Sequence, residues 1–286
     1  MSLKSENLKK YFFKIYYIGK QKYHGSQRQS NVLTIEDQLI DILIKRNYID
    51  DLERAEFEFA SRTDRYVSAR GAVFSIIPKK KPILMEINSF LPCEMGLWAS
   101  SPVPINYSPR YHAVSRHYRY IFPEPLDYLI SEYNFNIDIV KKACSQLEGI
   151  HNFQNFSKRD NSIEDTIREL NFVNMTISNN TVFIDFISKS FLRQQIRRII
   201  KKLMELGKNE ISFEEFLTLF DAKKFVSYEP ANPNGLILWD IQYNSNIKFQ
   251  INKKSVERMQ NYFVTQKQKN WLKFKLFSRL EEDYLR

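Results

Sequence analysis

Asp64, in the run Ser61-Arg62-Thr63-Asp64, is the residue of this chain best placed to do chemistry. A carboxylate can serve as nucleophile, general base or electrostatic stabiliser. This one lies in a loop between two runs that read as strands, 56–60 and 72–77, where a β scaffold can hold a side chain toward a cleft. The plainer reading of an Arg-x-Asp turn is a structural ion pair or loop cap. Other chemistries find little support. His24, His112, His117 and His151 are scattered without metal-ligand spacing, and a metal-dependent nuclease would need further carboxylates converging on a cation. Cys93 and Cys144 form neither a disulfide framework nor a Cys-x-x-Cys pair. No Gly-rich phosphate loop is present, so neither metal nor cofactor is expected.

The elements that must position Asp64 repeat. Residues 11–18 are aromatic and β-branched and predict a strand. A polar loop, 19–33, leads to a helix opened by Thr34 with Asp37 three residues on, a pair of the capping-box kind. Ile35, Leu39, Ile42 and Leu43 give that helix one apolar stripe. With the two strands flanking Asp64, the first half reads β-α-β-β. The second half follows the same order: a strand at 117–122, a helix with Asp138 as its cap and Gly149 as its stop, then a hairpin of 168–177 and 181–187 turning on Asn179-Asn180. A helix over about 191–206 and a second capping box, Ser212 with Glu215, come next. The expected fold is therefore α+β: two pseudo-symmetric βαββ halves, 1–110 and 111–245, sharing a largely antiparallel sheet. Helices on one face would leave a cleft between the halves. The tail, 246–286, reads as helical and carries the basic aromatic stretch 269–275.

The 286 residues can bury one large or two modest cores. A formal charge of +10 favours a polyanionic partner such as nucleic acid. No apolar run reaches membrane-spanning length and the N-terminus is no signal peptide, so the expected compartment is the cytoplasm.

Six collinear segments resemble the TruA family of tRNA pseudouridine synthases. They are Tyr17-Ile18-Gly19 with Tyr23-His24-Gly25-Ser26-Gln27-Arg28-Gln29; Arg62-Thr63-Asp64 through Ala69; Arg110-Tyr111-His112-Ala113 with Tyr118-Arg119-Tyr120; His151-Asn152-Phe153 through Phe156; Phe191 through Arg197; and Gly235-Leu236-Ile237-Leu238. Ser61, Arg65 and Ser68 look closer to archaeal and eukaryotic branches. Ser61 and Tyr66 stand where the family favours Gly, and a tyrosine is expected to alter the loop's backbone angles.

The resemblance implies an isomerase that converts uridine to pseudouridine in tRNA, in the anticodon arm at positions 38–40, after the nucleotide is flipped out. It implies that Asp64 is the catalytic carboxylate, that Arg197 is the cation keeping it ionised, and that Tyr118 stacks on the uracil and assists at C5. Arg62 would fill the space left by the base or bind its phosphate, and Leu236 would wall the ring. Arg110, Phe191 and Gln27 belong to the implied substrate surface. Lys20, Lys22, Arg28, Lys79-Lys80-Lys81, Arg193, Arg198, Lys201 and Lys202 are expected as phosphate contacts. The plainer reading of Arg197 is one member of a ridge with Arg193 and Lys201 at i, i+4, i+8. Expected partners are tRNA and a second copy of the chain, with no membrane and no DNA. The rival is a non-catalytic RNA-binding protein, since βαββ halves with sheet aromatics suit RNA recognition.

Overall fold

The structure is a computed structural model that describes residues 9–159 and 165–282. The first half runs β1 (Lys10–Tyr17), α1 (Ile35–Lys45), β2 (Glu58–Phe59), β3 (Ser68–Ile76), α2 (Leu84–Phe90) and β4 (Met95–Val103). The second runs β5 (Ala113–Ile121), α3 (Leu126–Tyr133), α4 (Ile137–Leu147), β6 (Gly149–Asn152), β7 (Ile167–Leu170), β8 (Phe172–Ser178), β9 (Thr181–Ser188), α5 (Gln195–Gly207), α6 (Phe213–Thr218) and β10 (Leu236–Tyr243). After these come β11 (Gln250–Ile251) and α7 (Lys253–Glu282).

One sheet runs through both halves in the order β11-β4-β1-β3-β10-β5-β9-β8, with β2 added against β3. Its pairs are antiparallel except β3 with β10, where Ser68 faces Ile237 and Ala69 faces Leu238. That parallel seam joins the halves, and it begins four residues after Asp64. β1 is buried along nearly its whole length because it has a neighbour on each edge and Phe13 stacks on Phe74 at 5.0 Å. In β5, Tyr118 lies opposite Leu238 and Phe186, and Tyr120 opposite Leu236 and Ile184. These side chains therefore share one face. Among the described residues no helix is long and apolar enough to cross a membrane.

Local chemistry sets the boundaries. Both capping boxes form: Thr34 with Asp37 opens α1, and Ser212 with Glu215 opens α6. Asn179 and Asn180 both take positive φ, 48° and 60°, in the two-residue turn between β8 and β9. Three expectations are corrected. Asn136, not Asp138, caps α4, its side chain accepting from the Ile139 amide; Asp138 sits in the first turn, where a negative charge suits the helix dipole. The stretch 168–177 is not one strand. It breaks at Asn171, so that β7 pairs with β6 in a separate two-stranded sheet while β8 pairs with β9. The helix expected from 191 starts at Gln195, because Gln194 has φ of 60° and interrupts the turn.

Candidate active site

Two loops are laced together beneath Asp64. The Ser26 amide donates to the Thr63 carbonyl at 3.1 Å, and the Thr63 amide donates to Ser26 Oγ at 2.8 Å. Tyr17 and Thr63 hydroxyls share a further bond of 2.8 Å. The chain turns at once: the Val67 amide donates to the Asp64 carbonyl at 3.2 Å, with Tyr66 at φ of 68° inside the turn. Tyr66 was expected to change the backbone angles. Instead it adopts the left-handed conformation that Gly takes without strain. Gly19 lies against it, where a Cβ would come within 2.2 Å of the Tyr66 carbonyl. The Arg65 guanidinium sits 4.9 Å from the Tyr66 ring centroid and donates to the Gln21 carbonyl at 2.9 Å.

Asp64 meets α5. Arg197, third in that helix, donates from Nη1 to Asp64 Oδ2 at 2.8 Å and from Nε to the Ala231 carbonyl at 2.8 Å. The arginine side chain is 11% exposed and the aspartate 36%, so the cation is fixed inside while the carboxylate faces outward. The fork geometry of a guanidinium allows both bonds at once.

Tyr118 is buried, near enough to Asp64 to feel its charge, with its ring edge-on to Phe191 at 5.3 Å and 85°. Burial pushes its phenol up to about 12, partly opposed by Arg116 and by a bond to Ser61, while the charge of Asp64 adds to the rise. The phenol is therefore neutral at physiological pH. Tyr120, next on the same face, donates to the Asn232 carbonyl at 3.0 Å. Leu236 opens β10 and is buried opposite Tyr120, as core.

Arg116 escaped the sequence reading. Buried on β5, it donates from Nε to Ser61 Oγ at 2.8 Å and from Nη2 to the carbonyls of Ala60 at 3.0 Å and Arg110 at 2.8 Å, while Nη1 bonds the Lys189 carbonyl. One guanidinium thus ties the Asp64 loop to the segments before β5 and after β9. Desolvation lowers its pKa, and the acceptors around it offset the cost of burial. Ser61, where the family favours Gly, supplies one of those acceptors. The signal for Arg116 was its place two residues before Tyr118 on the same strand face.

The remaining candidates divide. Arg62, Arg110, Gln27 and Arg193 are exposed, and Phe191 is half-buried. Arg28 pairs with Asp37 at 2.9 Å, and Lys20 and Lys22 reach Glu94 at 3.5 and 2.6 Å. Arg193 lies outside α5, Arg197 turns to Asp64, and Lys201 pairs with Glu205 at 3.1 Å, so the expected ridge is split. Arg198 is buried, donating to the Tyr228 carbonyl at 2.8 Å, and Lys202 bonds Glu205 at 2.6 Å. Lys79 and Lys80 follow the far end of β3, about 30 Å along the strand from Asp64, and pair with Asp50 and Glu86. The structure does not bring them to the site.

The class these features define is an α+β protein with one largely antiparallel sheet and a carboxylate held by a buried arginine close to the seam between its halves. A sequence profile described as tRNA pseudouridine synthase matches residues 143–244. The chain is 31% identical to tRNA pseudouridine synthase A of Methanothermobacter thermautotrophicus over 98% of its own length and 97% of the relative's. It is 34% identical to the protein of that name from Pyrococcus furiosus over 95% and 94% of the two chains, and 36% to that of Methanococcoides burtonii over 80% and 81%. The chain belongs to the tRNA pseudouridine synthase family, isomerases that act on tRNA.

Proposed function

We propose that Asp64 is the carboxylate at which this chain isomerises uridine in tRNA, with Arg197 as its counter-charge and Tyr118 as the floor beneath the uracil. The reaction breaks the N1–C1′ bond, turns the base and joins C5 to C1′, the C5 proton leaving and N1 taking one up. No electron is gained or lost. A base in a stack hides those atoms, so the nucleotide must be everted at a cost of a few kcal/mol. The observation that carries the reading is the 2.8 Å pair of Asp64 with Arg197, outward on the acidic side and anchored to Ala231 on the other. A cation so placed supplies a fixed partner for the carboxylate as RNA displaces water. Tyr118, neutral at working pH, acts through its ring and its hydroxyl and not as a phenolate base. Exposed Arg62, beside Asp64, is positioned to meet the backbone of the everted nucleotide or the gap it leaves. Arg110, Arg193, Gln27, Phe191 and the lysines at 20 and 22 make the surrounding substrate surface, with Leu236 behind the ring.

The family resemblance as a whole implies a target in the anticodon arm, positions 38–40, and a homodimer is the assembly proposed with it. Pseudouridine mapping in tRNA from cells lacking the gene tests substrate and position together. Wild type restores the missing modification, whereas Asp64→Ala, expressed at the same level, leaves it absent. Restoration by Asp64→Ala would end the proposal. Sedimentation of the purified protein tests the dimer.

A further inference from the structure

α7 has two parts. Its base is locked to the body: Arg258 donates from Nη1 to the Tyr16 hydroxyl and the Met95 carbonyl, each at 3.2 Å, and from Nη2 to the Leu91 carbonyl at 2.9 Å. Phe263 packs edge-on against Tyr16 at 5.5 Å. From Val264 to Glu281 almost every side chain is exposed. At 1.5 Å per residue these 18 positions extend about 27 Å.

The exposed part is not an ordinary solvated helix. Trp271, Phe274 and Phe277 fall on one flank and Leu272, Leu276 and Leu280 on the other, each 53% to 70% exposed. Lys267, Lys269, Lys273 and Lys275 are interleaved among them, and Lys275 lies 4.6 Å from the Trp271 ring centroid. Large apolar side chains on two flanks of one helix are normally enclosed. Pairing with the same helix of a second copy is opposed by charge, because Lys269 and Lys273 border the leucine flank and would face their own kind. A polyanion with stackable faces suits the pattern: lysines neutralise phosphates, and exposed aromatic rings accept bases.

The base of the helix also adjoins the site. Lys20 Nζ lies 6.0 Å from the Tyr262 ring centroid, and Lys20 precedes Gln21, whose carbonyl accepts from Arg65, the neighbour of Asp64. We infer that the projecting half of α7 is an arm that binds the substrate tRNA away from the isomerised nucleotide, extending the surface that starts at the Asp64 loop. This rests on tRNA being the substrate.

The full chain serves for the test, in two variants confined to exposed positions: Lys267, Lys269, Lys273 and Lys275 all →Gln, and Trp271→Ala with Phe274→Ala. Binding of full-length tRNA is measured at several salt concentrations, turnover is measured on full-length tRNA and on an isolated stem-loop that the wild type modifies, and sedimentation is followed in parallel. Each variant is expected to raise Kd and KM for full-length tRNA on the order of tenfold. kcat at saturation and turnover of the stem-loop stay as in wild type. For the lysine variant the slope of log Kd against log salt falls by about 2 to 3, near 0.7 per lost phosphate contact. Unchanged Kd and slope in both variants would overturn the inference, as would variants that sediment as a smaller species than wild type, which would make the helix a self-association surface. Wild-type turnover in the same assay is a separate reading. Its absence would remove the tRNA-modifying role, whereas a variant that binds as tightly as wild type removes only the arm.

Discussion

At the scale of single residues the site is a set of constraints converging on one side chain. Arg197 must reach the Ala231 carbonyl and Asp64 together, which a planar fork does and an ammonium does not. Arg197→Lys is expected to lower kcat by one to two orders of magnitude with tRNA affinity nearly unchanged, measured by single-turnover kinetics beside filter binding. Tyr66 holds a left-handed backbone that costs a non-glycine residue about 1 kcal/mol. Tyr66→Gly should therefore keep its activity and raise Tm slightly in thermal denaturation; lost activity would show that the Tyr66 ring itself is used. Burial raises the Tyr118 phenol to about 12, so it keeps its proton through the neutral and mildly alkaline range. Its titration should put no alkaline limb on the kcat profile between pH 7 and about 10. The motifs of the family resemblance singled out Asp64, Arg197 and Tyr118, and the fold brings Asp64 and Arg197 together at 2.8 Å, close enough to Tyr118 for the charge of Asp64 to act on it. Arg116 was not legible, because a buried arginine whose partners are mostly carbonyls leaves no pattern in side-chain types.

Elements were legible where side-chain chemistry marks their ends. Thr34 with Asp37, Ser212 with Glu215, and Asn179-Asn180 each satisfy local backbone groups, so local sequence suffices. Elements defined by distant partners were not. β2 falls inside the expected strand 56–60 but is only two residues long, because only Glu58 and Phe59 find partners, Ser75 and Phe74 of β3. The break at Asn171 follows from β6 claiming Ile167–Leu170 while β9 claims the next seven residues. α2 and β4 carry no marker that reading by period could use, although β4 is the outer neighbour of β1. Arg116 turns this topology into a testable coupling, since it ties segments from both halves around Ser61. Arg116→Lys keeps the charge but loses the fork. It should destabilise the fold by about 2 to 3 kcal/mol in urea titrations, because buried carbonyls lose their donor, and it should lower kcat more than it raises KM. An unchanged kcat would reduce Arg116 to a purely structural tie.

Across the whole molecule, two features depend on solution conditions. Burial raises Tyr16, Tyr48, Tyr118 and Tyr120 from 10.0 to about 12, and raises Tyr17, Tyr228 and Tyr243 as well. These groups bind their protons more tightly folded than unfolded. Their contribution is complete below pH 10 and is lost as pH climbs from 10 through 12, so alkaline unfolding should set in over that window, followed by phenolate absorbance together with circular dichroism. The formal charge of +10 points the same way as the family: affinity for tRNA should fall steeply with salt. The central claim is tested most directly by tritium release from tRNA labelled at C5 of uridine, comparing wild type with Asp64→Asn at saturating tRNA. The account predicts release by wild type, a loss on the order of 10⁴-fold or more in the variant, and tRNA affinity within a few fold of wild type. Release at the wild-type rate from Asp64→Asn would contradict it.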